Sequence, residues 1–194
     1  MKVVIQRSKL LDPVFLAWTE KSYPGTTLFP DSEVDERVRL FREIWLDKGE
    51  LVTRILEKET GLRFPNKEYI CHIVNRTHRN LSSPLVIRSR LLPEEFVVAL
   101  THELIHILFR ENTQLISVND LKTVFSVEDD CVARHIPVYA ILRQLKKEMR
   151  DLDFQEPVDN NTNTAYRVAW DFVEKKGADF VLRVVRLATK KIMA

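Results

Sequence analysis

Residues 96–109 read Phe-Val-Val-Ala-Leu-Thr-His-Glu-Leu-Ile-His-Ile-Leu-Phe, an apolar run with only three ionisable side chains. Two of these, His102 and His106, are four residues apart, so on an α-helix they lie one turn above each other on the same face. A helix that is apolar on every side is normally buried. The run therefore predicts a core helix, around which the rest of a small domain is arranged.

The spacing His102-Glu103-x-x-His106 is typical of zinc binding on a helix. Both imidazoles can reach one metal ion, while Glu103 points to the adjoining side, where its carboxylate can take a proton from water. The alternative is a cluster of core residues that satisfy each other by hydrogen bonds. Buried ionisable groups are costly unless they are paired or bound to a metal. One metal ion accounts for all three side chains, so the sequence favours zinc.

A catalytic zinc site normally has a third protein ligand. The acids Glu128, Asp129 and Asp130 open the next predicted helix. We expect Asp129 to form a capping box with Ser126, and we take Glu128 as the ligand because small apolar residues follow it four and five positions later. Asp130 and His135 remain open as alternatives.

His135 has a second candidate role. It lies seven residues after Glu128, about 10 Å further along a helix, so the two can hardly share one metal ion. It can replace Glu128 as a ligand, donate a hydrogen bond to a developing oxyanion from the cleft wall, or be a core histidine with satisfied hydrogen bonds. Tyr139, one turn further on, is a weaker candidate for the oxyanion role. His72 and His78 are interpreted as structural or solvated, as lone histidines usually are.

The remaining patterns predict an α+β fold. Short β-branched runs at 1–7, 69–74 and 85–90 indicate strands, and we expect the last two to form a hairpin. The strand at 85–90 is expected at the sheet edge, where it could bind an extended peptide. In this fold a small antiparallel or mixed sheet packs against the buried motif helix, with additional N- and C-terminal helices.

Helical patterns fill most of the rest of the chain. A helix is expected from Asp12, then a helical hairpin or one broken helix from Ser32 to Gly61, and the motif helix from Pro93. Residues 110–122 are interpreted as a polar connection, followed by a helix from Val127 to about Arg150. A loop at 151–163 leads to two further helices, which begin at Thr164 and are separated by Gly177.

Length and composition fit one domain spanning residues 1–194, because 45% hydrophobic residues suffice for a core. We expect a core at about 69–150, with helical N-terminal (1–62) and C-terminal (151–194) extensions packing on it. Cys71 and Cys131 are the only cysteines, which excludes a disulfide scaffold. Two buried free thiols are expected, and a bridge between them is left open.

The charge pattern bears on partners. The net charge is +2, and the 30 basic and 28 acidic residues are interspersed, so no nucleic-acid partner is expected. Neither an apolar run of 18 residues nor a secretory signal pattern is found. No membrane association and a cytoplasmic location are therefore expected.

The strand at 85–90, the helix bearing His-Glu-Leu-Ile-His and a helix opening with Glu128 resemble the zincin metallopeptidases of the gluzincin type. The small size is similar to the minimal gluzincins of prokaryotes. By this resemblance His102, His106 and Glu128 would bind Zn2+, and Glu103 would act as general base and acid. The chain departs from the gluzincin pattern at position 129, where the usual Glu-Ala pair reads Glu-Asp. It lacks the metzincin continuation, because positions 109 and 112 are Phe and Asn instead of Gly and His.

The resemblance implies a zinc-dependent metallopeptidase that hydrolyses peptide or protein substrates. The alternative is a latent or non-catalytic zinc-binding regulatory protein with a zincin-like fold.

Overall fold

The computed structural model describes residues 1–25, 28–75, 77–150 and 164–190. These residues form a mixed α+β structure with seven helices and one four-stranded sheet. The expected loop at 151–163 lies outside the described residues. In chain order the elements are β1 (Lys2–Arg7), α1 (Asp12–Ser22), α2 (Asp31–Thr60), β2 (Glu68–Val74), β3 (Leu81–Ser82), β4 (Leu85–Arg88), α3 (Pro93–Glu111), α4 (Val118–Phe125), α5 (Asp130–Glu148), α6 (Thr164–Lys176) and α7 (Ala178–Lys190).

The sheet has the strand order β1-β2-β4-β3. The expected hairpin between β2 and β4 is wrong, because these strands pair in parallel, with His72 opposite Val86. The hairpin partner of β4 is instead the two-residue strand β3, which pairs antiparallel to it. β3 covers the edge of β4 at Leu85 and Val86, so the predicted open peptide-binding edge at 85–90 is wrong for these two residues.

The first residues of the chain belong to the sheet. β1 pairs in parallel with β2 from Lys2 opposite Glu68 to Arg7 opposite Ile73, so the N-terminal part is more than a helical extension. The Arg42 Nε–H group of α2 donates a hydrogen bond of 2.8 Å to the carbonyl oxygen of Ile5. This bond ties α2 to β1.

Helix α2 is one continuous helix of 30 residues, without the break that was expected. It ends before Gly61, whose φ of +74° is a left-handed conformation that favours glycine.

Contacts divide the chain into two compact units, with Met1–Leu51 and Pro65–Leu104 in unit 1 and Val52–Phe64 and Ile105–Ala194 in unit 2. Two of the three boundaries fall inside a helix, one within α2 and one within α3, and the third lies between α2 and β2. In unit 1, Phe15 of α1 packs in one buried cluster with Val74 of β2 and Val86 of β4. The α1 helix therefore lies against one face of the sheet.

Unit 2 is helical in its described part, and α5 packs against α4, α6 and α7. The helix α4 occupies part of the stretch that was expected to be a polar connection, and it opens with a capping box between Ser117 and Asp120. Ser126 follows α4 with a left-handed φ of +55°, and Asp129 caps α5 by accepting a hydrogen bond from Val132 N–H at 2.8 Å. The expected capping box between Ser126 and Asp129 and the helix start at Val127 are therefore wrong.

The two C-terminal helices are confirmed. α6 begins at Thr164, and Gly177, with a φ of +83°, separates it from α7. Apolar side chains of α7, among them Val181, Leu182 and Val185, are buried. No helix in the described parts of the chain is long and apolar enough to cross a membrane.

Candidate metal centre

The motif helix α3 begins where the sequence predicts, at Pro93. Glu94 and Glu95 lie in its first turn, where negative charge is favourable. The Glu95 carboxylate also accepts a hydrogen bond of 2.8 Å from the backbone N–H of Leu92. This bond compensates for the lack of a capping side chain at Leu92.

Half-buried side chains form one line along α3. Val98, His102, His106 and Phe109 follow each other at helical spacing and keep partial access to solvent, whereas Glu103, Leu104 and Ile105 are buried. A ligand can therefore reach α3 along the line that carries both motif histidines.

The structure brings a third histidine to this line. Ligand atoms of His102, His106 and His135 all lie within 4.8 Å of one another, and no other such group occurs in the described residues. His102 and His106 are one turn apart on the continuous helix α3, and His135 is a buried residue of α5. The rings of His106 and His135 meet edge to face, with centroids 4.9 Å apart.

Three imidazoles at this separation fit a zinc ion. Zn–N bonds of about 2.0–2.1 Å in tetrahedral geometry place nitrogen ligands about 3.4 Å apart. The limit of 4.8 Å lies above this value, so small side-chain rotations bring three nitrogens into the zinc sphere. Three histidines leave the fourth tetrahedral position to water or substrate, as in catalytic zinc sites.

The ring of His135 is held in a defined orientation. Its Nδ1 atom lies 2.7 Å from the backbone oxygen of Cys131, which can only accept a hydrogen bond. Nδ1 therefore carries the proton, and Nε2 keeps the lone pair that a metal needs. Tyr166 of α6 lies beside the same ring, with centroids 4.3 Å apart.

Burial keeps two of the histidines in their neutral form. The pKa of His106 is lowered to about 3, first by burial and then by electrostatic interactions with His135, Arg134 and Arg110. The pKa of His135 is also lowered, mainly by burial. Neutral imidazole is the form that binds metal, so these groups need not lose a proton at neutral pH before they coordinate.

Glu103 is a buried carboxylate next to His102, with a relative exposure of 7%. Burial raises its pKa to about 7. The pKa of the buried free thiol of Cys71 on β2 is also raised, first by burial of the thiol and then by the charge of Glu103. Raised carboxylate pKa values of this kind are common among general bases and acids.

The structure does not bring Glu128 into the histidine cluster. Glu128 is exposed and lies in the connection between Ser126 and the cap residue Asp129, one residue before the cap. Its side chain is therefore not on the face of α5 that carries His135. Asp130, the other acidic alternative, forms an ion pair with Lys122 at 3.2 Å.

Two neighbours of the site were not anticipated from the sequence. Tyr166 lies 31 positions after His135, and no local pattern predicts a contact between residues so far apart in the sequence. The carbonyl of Cys131 could have been found, because a histidine on a helix reaches the backbone oxygen one turn earlier. Tyr139 was named for an oxyanion role, and it is buried, with its ring 6.1 Å from that of His135.

Comparison with known proteins adds no relative: no family model matches the chain, and no curated protein or solved structure gives a significant match. The chemical interpretation of this site therefore rests on its own residues.

Proposed function

We propose that the protein is a zinc-dependent metallopeptidase in which His102, His106 and His135 bind the metal and Glu103 is the general base. One observation carries this proposal: three histidine ligand atoms converge within 4.8 Å, on a helix that also holds a buried carboxylate beside His102. A bound zinc would supply Lewis acidity, which lowers the pKa of water and polarises a carbonyl group.

Groups of the protein transfer the proton and orient the metal ligands. Glu103 takes a proton from the attacking water and passes it to the leaving amine, a transfer that requires a carboxylate close to the ligands but not on the metal. Its buried position makes it more basic than a carboxylate in water. The backbone carbonyl of Cys131, one turn before His135, accepts a hydrogen bond from Nδ1–H of His135. This bond fixes the tautomer in which Nε2 can bind the metal.

A peptide bond is the substrate that the motif favours. The spacing His-Glu-x-x-His on one helix is the arrangement of zinc-dependent proteases, where the glutamate is the general base. The half-buried line from Val98 to Phe109 supplies access for an extended chain along α3. The effect of Glu103 on the Cys71 thiol of β2 also supports a zincin-like packing of the motif helix beside the sheet.

A second candidate is a zinc-binding regulatory protein without hydrolytic activity. It is favoured by the ring of Tyr166, which lies 4.3 Å from the ring of His135. A side chain of α6 thus occupies space beside one of the three ligands. In this candidate the protein's own chain supplies the fourth position of the metal.

Zinc titration and an assay of casein hydrolysis test the proposal. Metal-depleted protein is titrated with zinc, and Glu103→Gln is compared with the parent chain. We expect Glu103→Gln to bind zinc with unchanged affinity and to lose hydrolysis, because an amide cannot accept the proton. Glu94→Gln, an exposed glutamate nine residues earlier on α3, is the matched control and should retain activity.

The outcomes separate the candidates. Zinc binding without hydrolysis by the parent chain would favour the regulatory protein. If the folded parent chain binds no zinc, both candidates fail.

A further inference from the structure

The carboxyl ends of β2 and β4 lie next to each other in unit 1. The two strands are parallel neighbours, with Val74 opposite Arg88 at their ends. The turn that follows β2 is held against this place, because Asn80 Oδ1 accepts a hydrogen bond of 3.1 Å from Arg88 N–H. In sheets with parallel strands, ligands often bind at the carboxyl ends of the strands.

Arg88 is unusual at this position. Its Nε atom is sealed from solvent and has no hydrogen-bond partner within the described residues. Its guanidinium forms no ion pair with any carboxylate in that part of the chain, although Glu95 acts on it at longer range. A desolvated donor without an acceptor is costly, and such groups in native structures call for an explanation, such as a bound ion.

The neighbouring strand end differs in its ion pairs, although the Nε atom of Arg7 also lacks a hydrogen-bond partner in the described residues. Arg7, the last residue of β1, pairs with Asp31 and, at 3.0 Å, with Asp35. The positive charge at the end of β1 is therefore balanced by the chain's own carboxylates, whereas that of Arg88 is not.

A group of aromatic rings involves the same turn, in which His78 lies two residues before Asn80. The ring of His78 contacts those of Trp18 and Tyr23, with centroid distances of 5.0 and 4.9 Å. The exposed fractions of Trp18 and Tyr23 are 38% and 55%, which leaves ring surface available for a ligand. The guanidinium of Arg79 lies 5.7 Å from the Trp18 ring centre, and it has no side-chain hydrogen bond or ion pair in the described residues. We name the group of Trp18, Tyr23, His78, Arg79 and Arg88 the Arg88 edge.

Two positive charges act on the His78 ring at the Arg88 edge. The pKa of His78 is lowered by burial and then by the charges of Arg79 and Arg88. Two guanidinium groups thus act on one ring, and both lack a carboxylate within ion-pair distance in the described residues. Arginine without a carboxylate partner is suited to bind phosphate, to which it can donate two parallel hydrogen bonds.

We propose that the Arg88 edge binds a nucleotide, either free or as part of a single-stranded nucleic acid. Arg88, through its terminal Nη atoms, and Arg79 hold the phosphate, and the exposed rings of Trp18 and Tyr23 stack on the base. The presence of both arginines and exposed rings favours a nucleotide over an acidic peptide. A carboxylate would pair with the guanidinium groups but would make no stacking contact with the rings. The near-neutral chain as a whole does not oppose this, because one local site is sufficient. The Arg88 edge shares no residue with the proposed metal centre.

Binding of a labelled, short single-stranded oligothymidylate to the full chain tests the proposal, with fluorescence anisotropy as the readout. We expect Arg88→Met to weaken binding at least about tenfold, since it removes hydrogen bonds to a charged group. Trp18→Leu should weaken it at least about fivefold, through loss of stacking on a base. Arg39→Met is the matched control, because Arg39 is paired with Glu36 and Glu43 on α2, and it should leave binding unchanged.

Competitors identify the ligand. Displacement of the oligonucleotide by adenosine monophosphate would support a free nucleotide, whereas binding of the oligonucleotide alone would support a strand. Polyglutamate is the third competitor. Displacement by polyglutamate as effective as by nucleotide, or equal binding to the parent chain and Trp18→Leu, would overturn the proposal, as would absence of binding.

A folding control accompanies these measurements. Because Arg88→Met removes a donor without a partner, its thermal midpoint should equal or exceed that of the parent chain. If Arg88→Met does not fold, Arg88→Lys provides the same test. It keeps the charge but loses the planar fork, and binding should again weaken.

Discussion

The Nδ1 atom of His135 lies 2.7 Å from the backbone oxygen of Cys131, one turn earlier on α5. Metal-binding histidines commonly donate their other ring N–H to a carbonyl or carboxylate, which fixes the tautomer and the ring orientation. In His135 this bond comes from the backbone of its own helix, so no second side chain is required. The same hydrogen bond could also be made by a core histidine that binds no metal. Such a histidine does not require ligand atoms of two further histidines within 4.8 Å, as found here.

The identity of the third ligand gives the first prediction. His135→Ala should weaken zinc binding by more than about a hundredfold, because the loss of a ligand should exceed the 10- to 100-fold typical of outer-shell changes. Glu128→Ala should leave the affinity unchanged, since Glu128 is exposed and outside the cluster. His78→Ala, a histidine of unit 1, is the control. Isothermal titration with zinc measures all three, and a loss of affinity in Glu128→Ala would restore the sequence-based ligand.

Glu103 gives the second prediction, which concerns stability. The carboxylate is buried and has neither a hydrogen bond nor an ion pair in the described residues. Glu103→Leu should therefore raise the free energy of unfolding of the metal-free protein by about 1–3 kcal/mol. Chemical denaturation measures the change, and Glu94→Leu on the exposed side of α3 is the control. A less stable Glu103→Leu protein would mean that Glu103 has a structural role.

Some features set by neighbouring residues were predicted correctly from the sequence, and features set by distant residues were not. The motif helix was predicted correctly from Pro93, because its start depends on adjacent residues. The strand at 69–74 was found, but its partner was not, since the two-residue strand β3 carries too little pattern to be recognised. Because β3 is not recognisable in the sequence, the polar segment between β2 and β4 was interpreted as a hairpin turn.

The prediction of a third ligand shows the same limit. Its choice depended on where α5 begins, and that start is set by the left-handed Ser126 and the cap Asp129. A shift of the helix start from Val127 to Asp130 removes Glu128 from the helix. His135 was retained as an alternative from its position, but only the packing of α5 could place its ring beside His106.

The ion-pair cluster at the start of α2 gives a prediction of pH dependence. Hydrogen bonds from Lys9 and Arg7 lower the pKa of Asp31 from 3.8 to about 2. Because the pKa in the folded state is the lower one, ionised Asp31 stabilises the fold above about pH 4, and this contribution is lost as the pH falls toward 2. Asp31→Asn should therefore be less stable than the parent chain at pH 7 and equal to it near pH 2. Thermal unfolding across this range measures the difference, with the exposed Asp171→Asn as control.

The last prediction concerns the C-terminal helices, which the sequence suggested as an appendage. Removal of residues after about Arg150 would open the site if these helices were a separate appendage, but α5 packs against both α6 and α7. Arg186 of α7 also donates a hydrogen bond of 2.9 Å to the backbone oxygen of Glu59. The truncated chain should therefore lose the cooperative unfolding transition of unit 2 instead of gaining activity.

Two leucines of α7 test this interpretation without truncation. Leu182 has a relative exposure of 1% and Leu187 one of 57%, so one leucine is in the core and the other on the surface. Leu182→Ala should lower the free energy of unfolding by about 2–5 kcal/mol, through lost burial and a cavity. Leu187→Ala should change it by less than about 0.5 kcal/mol. Equal, small effects in both variants would show that α7 contributes little to the fold, and truncation would again be a valid way to expose the metal centre.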